Sequence, residues 1–305
     1  MTENIHNLRN YEKNIINNVE ITYRNMYENQ NRKYVEQQLK INLFPLWEKP
    51  FTIKNTLDYL DTFIDESDPD TNKNQSIHSF QTALSMEKLY QNNFLIKNLF
   101  SINEYNALPD FVKSMYESHQ TLFNLIPILQ HQSNFLITTA LVHDFGKILY
   151  LKSYPQWSVV GDTFAIGLTL SDDSPFSDKK YHIKNKDIYE CDSKTYKEGC
   201  GFENMFFSFG HDEYMAKVLE RSNTNLPKEA IYIIRYHSLY CWHSPKKENR
   251  SYELYANDED WRLLPLLKLF RICDLYSKSE SNEILKEEID RILKISQNDI
   301  SNLLL

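Results

Sequence analysis

The sequence predicts a mainly α-helical protein built as a single domain over residues 1–305. Three observations carry that prediction. Glycine is scarce, with six in 305 residues, all between Gly146 and Gly210. Long segments poor in glycine and proline place apolar residues three and four apart, the period of one helix face. Strand signals are weak. The length admits one large core or two smaller ones, and no internal repeat divides the chain.

In chain order, the periodicity predicts helices over 11–41, 52–64, 75–100, 106–130, 133–152, 211–221, 226–241, 259–278 and 281–298. The third carries SIHSFQTAL, the fifth TTALVHDFGK, the sixth starts in SFGHDEYM, the seventh holds IYIIRYHSLY and the eighth LPLLKLFRICDLYSK. Between the fifth and sixth, 155-PQWSVVGDTFAIG-167 sets β-branched and aromatic residues around two glycines, the pattern of a loop with extended backbone. From about 170 to 208 the chain lacks periodicity and reads as a long ordered loop, a class that is usually functional or mobile.

Composition narrows the function classes. With 41% hydrophobic, 13% aromatic and 25% charged residues, the chain has the make-up of a folded globular protein. A net charge of -8 and a pI near 5.6 argue against nucleic acid, because an anionic protein without a basic stripe gains little from counterion release. Cys191, Cys200, Cys241 and Cys273 form no CxxC pair, so neither a zinc ribbon nor a disulfide scaffold is indicated, and a reducing cytoplasm is the default. The N-terminus lacks the form of a secretory signal. The longest stretch without Asp, Glu, Lys or Arg, Ser118 to His143, is too polar to span a bilayer.

Polar residues that interrupt apolar helix faces point to the chemistry. His78, His143, Asp144, His211, His237 and Asp274 all do so. Any one alone reads as a satisfied core histidine or a solvated carboxylate, but Asp274 follows an apolar run, where an unpaired carboxylate is costly and a metal would supply its partner. Imidazole and carboxylate without cysteine suit iron, manganese or zinc. Six ligands exceed what one catalytic metal with open positions uses, so two metals sharing a carboxylate fit better, with Asp144 as the natural bridge. Lys147 and Lys278 each lie four residues beyond a ligand, one helical turn on, where an ammonium can hydrogen-bond a substrate oxygen or move a proton. The turn 65-DESDPDT-71 fails as an EF-hand, lacking glycine and glutamate at the required positions. It is an acidic turn, or a substrate loop in which Asp65 and Ser67 meet hydroxyls.

Taken in order, IHSFQTA, HDFGK, PQWSVVGDTF, CDS, SFGHDEYM, IRYHSLYCWH and FRICDLYSK closely resemble the myo-inositol oxygenase family, over Arg9 to about Lys278. The resemblance implies a single-domain helical HD fold with a di-metal site in the helix core. It implies two irons per chain, mixed-valent Fe(II)/Fe(III) when active, and O2 as co-substrate. The activity implied is ring cleavage of myo-inositol to D-glucuronate, a reaction of inositol catabolism. His78, His143, Asp144 and Asp274 would hold one iron, and Asp144 would bridge to a second held by His211 and His237. Arg9, Asp65, Glu66, Ser67, Lys147, Gly161, Asp162, His237, Ser238 and Lys278 match the family's substrate-contacting positions. Lys147, Asp144 and His237 would be the catalytic groups.

One departure stands out. His78 and His143 are 65 residues apart, far more than the family has between these ligands. The extra segment, about 90–132, reads as one or two amphipathic helices that decorate the surface, or as a lid or contact surface on an expected monomer. Two other readings compete with the oxygenase: a metal-dependent HD phosphohydrolase, for which His78, His143, Asp144 and Asp274 suffice, and a non-catalytic helical scaffold. Phosphate would want a more basic pocket than Asp65, Asp162 and Ser238 provide.

Overall fold

A computed structural model describes residues 16–67, 74–181, 196–244, 251–277 and 284–305. The α-helices of eight residues or more in that range are α1 (Ile16–Asn29), α2 (Arg32–Ile41), α3 (Ile53–Leu60), α4 (Gln75–Leu89), α5 (Asp110–His119), α6 (Phe135–Val142), α7 (His211–Arg221), α8 (Lys228–Tyr236), α9 (Asp258–Ser277) and α10 (Lys286–Asp299). The described residues form no sheet, only isolated bridges such as Phe51 with Leu303 and Ala165 with Phe207. The fold is mainly helical, as the glycine-poor periodic segments predict.

The centre of the molecule is α6. All eight of its residues are buried and six of them are apolar, and a helix with no charged face has to be enclosed by others. Helices α4 and α10 pack on it, α9 packs along α4, and α7 pairs with α8. No helix among the described residues is long and apolar enough to cross a membrane.

Several expected helices are interrupted, each for a local reason. The run 11–41, of which 11–15 lie outside the described residues, breaks at Asn31. Its backbone is extended and its side chain accepts from the Tyr34 amide at 2.9 Å, capping α2. The run 106–130 splits because Pro109 starts α5, Gln120 ends it with φ 60°, and Thr121 caps the short turn Leu122–Leu125. The run 75–100 stops at Leu89 and resumes as a 3-10 turn, Ile96–Leu99.

The run 133–152 changes character at the HD pair. After Val142 and His143 the chain leaves the α conformation at Asp144 (φ −92°, ψ 1°) and continues as a 3-10 segment, Phe145–Lys152. A Cβ on Gly146 would lie 1.8 Å from the backbone oxygen of His211. Only glycine lets these two backbones meet, and α7 lies on the 3-10 segment as a result.

Nor is the segment 90–132, expected as an insertion, a surface addition. Val112, Tyr116, Leu122, Leu125, Ile126 and Leu129 are all buried, and the Tyr116 hydroxyl donates to the backbone oxygen of Trp261 in α9 at 2.6 Å. The segment is part of the core wall, built against the helix that carries Asp274.

Candidate metal centre

Five elements bring the six predicted ligands to one place. His78 sits in the first turn of α4, and His143 caps α6 with Asp144 beside it. Asp274 lies near the end of α9, His211 opens α7, and His237 caps the C-terminal end of α8. All six are buried. Ligands at helix ends are held by the packing of whole helices while keeping their side chains clear of the helix shafts.

The carboxylate of Asp144 stands between two groups. Its Oδ2 is 3.8 Å from His78 Nε2 and 3.5 Å from His143 Nε2. Its Oδ1 is 3.3 Å from His211 Nε2 and 3.7 Å from His237 Nε2. Asp274 closes the first group, with Oδ1 3.0 Å from His78 Nε2 and 3.5 Å from His143 Nε2. Two clusters with metal-holding geometry result, His78–His143–Asp144 and Asp144–His211–His237.

The hydrogen bonds behind the rings show that this set fits a cation. His143 Nδ1 donates to the Ala140 oxygen at 2.8 Å, His211 Nδ1 to the Val159 oxygen at 2.8 Å, and His237 Nδ1 to the Ile234 oxygen at 2.7 Å. With Nδ1 protonated, each neutral ring aims the Nε2 lone pair into the centre. His211 Nε2 and His237 Nε2 then face each other across 3.2 Å, an arrangement of two lone pairs that a metal ion relieves.

Charge in the centre follows from burial and neighbours. Burial works against charge on Asp144 and Asp274. Lys147 and His143 nevertheless hold Asp144, and His143 and His78 hold Asp274, well below the usual carboxylate range. Burial likewise opposes charge on His143 and His211, but Asp144 with Asp274 raises the first and Asp144 with Asp212 raises the second. His237 goes the other way: burial, with repulsion from His211 and His143, outweighs its bond to Asp144 and lowers it.

Lys147 is buried, and its ammonium is 2.7 Å from Asp144 Oδ2 and 2.9 Å from Asp65 Oδ2. It therefore links the metal cluster to the 65–67 turn, where the Ser67 amide and hydroxyl donate to Asp65 Oδ1 at 2.9 and 2.7 Å. Ser238 Oγ lies 3.4 Å from His211 Nε2. Asp162 is buried and accepts from the Tyr23 hydroxyl at 2.7 Å. Its neighbour Thr163 ties it to Ser238, donating its amide to the Ser238 oxygen at 3.0 Å. Gly161 takes φ 93°, and a Cβ there would crowd Met26 Sδ at 3.2 Å. Glu66 stands apart, exposed, its carboxylate meeting Thr22 at 3.5 Å. Arg9 and Lys278 lie outside the described residues.

Some contributors carry no signal in the apolar period. Gln75 Oε1 accepts from Lys147 at 3.4 Å, Tyr23 orients Asp162, and Gly146 admits His211. His243, six residues after His237, donates from Nε2 to the His237 oxygen at 2.8 Å; that spacing is off the three-and-four period by which helix faces are read.

The myo-inositol oxygenase family model matches residues 16–104 and 109–292. The chain belongs to the myo-inositol oxygenase family. The match leaves out only 105–108 within the segment 90–132 and takes in the rest of it. Among similar curated proteins is the inositol oxygenase of Bos taurus, 35% identical over 237 residues, which cover 76% of this chain and 67% of that one. The inositol oxygenase of Homo sapiens is 32% identical over 275 residues, 88% of this chain and 80% of its own. That of Dictyostelium discoideum is 33% identical over 290 residues, 91% and 82%. The family makes this chain an oxygenase, and its buried His and Asp clusters are groups that could hold a metal ion.

Proposed function

We propose that the chain cleaves the ring of myo-inositol with O2 to give D-glucuronate at a centre of two irons. Oxygenation of inositol is the family's function; the proposal adds the metal identity and number and the role of each residue. His78, His143, Asp144 and Asp274 would hold one iron, and Asp144, His211 and His237 the other. The observation that carries this is Asp144, which turns one carboxylate oxygen to each of two buried clusters. Bound iron would supply Lewis acidity toward a substrate hydroxyl and the redox chemistry that O2 requires.

The chain's own groups bind, orient and move protons. Lys147, held between Asp144 and Asp65, places a cation beside the cluster, where it polarises a polyol hydroxyl or takes its proton. Asp65, Ser67, Asp162 and Ser238 offer carboxylate and hydroxyl partners for the remaining hydroxyls, joined by Gly161, Arg9 and Lys278, with Glu66 at the exposed edge. Burial of all six ligands excludes bulk water and fixes the geometry before substrate arrives. The reading includes a single-domain monomer in the cytoplasm. A phosphohydrolase would give the His211–His237 pair no task.

The test is direct. Protein loaded anaerobically with Fe(II), brought to the mixed-valent state and given myo-inositol and then O2 should form glucuronate, and His211→Ala should not. Two bound irons without product would sink the substrate assignment and leave the metal centre standing.

A further inference from the structure

We propose that the segment 90–132 sets the position of His237, with Glu104 as a positioning residue acting through Lys268 and His243. The proposal rests on the assignment of His237 to a metal.

The chain of contacts begins in the segment itself. Ser101 and Glu104 form a reciprocal capping box at the start of the short helix Ile102–Asn106, in which Glu104 Oε2 accepts from the Ser101 amide at 2.8 Å. That bond fixes the carboxylate and leaves Oε1 turned toward α9. There it meets Lys268, whose Nζ donates to it at 2.9 Å. The ammonium is nearly enclosed, with 8% of the side chain exposed, and it lies 4.8 Å from the ring centroid of Phe100, another residue of the segment. A buried lysine needs such partners, because desolvated charge is costly unless it is paired.

The same ammonium donates to the backbone oxygen of His243 at 3.1 Å. His243 is itself buried, and its Nε2 donates to the backbone oxygen of His237 at 2.8 Å. That oxygen belongs to the C-cap of α8, one of the last carbonyls of the helix, which have no partner within it. His243 satisfies it and so fixes where α8 ends. His237 lies at that end, with its ring aimed by the Nδ1 bond to Ile234. A shift of the His243 backbone therefore moves a ligand of the second cluster, while His78 and His143 hang on other helices and Asp274 lies on α9, more than a turn beyond Lys268.

The experiment is anaerobic titration of the purified full chain with Co(II), followed by ligand-field absorption. Wild type, Glu104→Gln, Lys268→Met and Lys268→Arg are compared, with Asp110→Asn, at an exposed site of the same segment, as control. His211→Ala identifies the ion held by the second cluster. Glu104→Gln and Lys268→Met should each weaken that ion about 10- to 100-fold and change its spectrum. The other ion should keep its affinity, Lys268→Arg should recover part of the loss, and Asp110→Asn should match wild type. Wild-type affinity and spectrum in both relay variants would overturn the proposal. So would parallel weakening of both ions together with a lowered Tm, or failure of both variants to fold, since the contact would then be general packing. A wild type that holds a single Co(II) would overturn the two-metal reading first and the relay with it.

Discussion

The two halves of the metal centre are built by different means. His78, His143 and Asp274 hang on α4, α6 and α9, and α4 packs on both of the others through buried, largely apolar surfaces. His211 and His237 depend on backbone-level contacts, the bare Cα of Gly146 against the His211 oxygen and the His243 ring against the His237 oxygen. Apolar packing spreads a disturbance over many contacts, whereas a backbone contact fails with one atom. The first half should therefore be the robust one and the second the fragile one.

The largest effect should come from erasing the difference. Asp144→Ala removes the oxygen that each half needs, so metal analysis should find both ions lost and turnover at background. Next, Gly146→Ala should separate the halves. Its new Cβ cannot be accommodated 1.8 Å from the His211 oxygen, so it should cost about 1–3 kcal/mol or more in denaturant unfolding. Among the folded molecules it should abolish uptake of the second ion while sparing the first; equal retention of both would mean that the second cluster does not depend on the bare Cα.

Lys147→Met touches neither cluster's histidines. Both ions should remain, while kcat falls by about 10²- to 10⁴-fold, measured as glucuronate formed per loaded centre. Loss of the metals instead would make Lys147 a support of Asp144 and not a participant in proton movement.

The smallest effect concerns pH. In the metal-free chain Asp144 and Asp274 are depressed, so the stability they contribute is present above about pH 3.9 and is lost as the pH falls through their lowered values. His143 and His211 are raised. Their contribution is complete below about pH 6.5 and disappears as the pH rises through their raised values. His237 is lowered and offsets part of this. Metal needs the imidazoles unprotonated, so its stabilisation grows as theirs fades. The gain in Tm on metal loading should be larger at pH about 8 than at pH about 6, by roughly a few degrees; a gain that shrinks with rising pH would contradict the assignment of the histidines as ligands.

How legible all this was in the sequence depends on how local its cause is. Helix α7 is readable to the residue, since it begins at His211 after glycine and its period is unbroken. The break at Asn31 and the splitting at Pro109 and Thr121 are also local, written in capping residues that the apolar period overrode. The change to 3-10 geometry after Asp144 was not legible, and the backbone that Gly146 meets there lies 65 residues further on. The six candidate ligands that the fold gathers could be singled out because each interrupts an apolar face. Which carboxylate oxygen serves which cluster required the fold, and so did the contribution of the segment 90–132 to the core. Family resemblance supplied Gly161, Asp162 and Ser238, which periodicity does not single out, while Asp65 and Ser67 stood out only as part of an acidic turn.

The divided carboxylate of Asp144 has a thermodynamic corollary. A rigid group that serves two binding sites makes them communicate: orienting it for one ion changes the readiness of the other site. By linkage, whatever factor the first ion imposes on the affinity of the second is returned unchanged by the second to the first. On the proposed two-iron reading, occupancy of the pair is a cooperative variable, and the dependence of activity on iron concentration would carry the imprint of a single buried side chain.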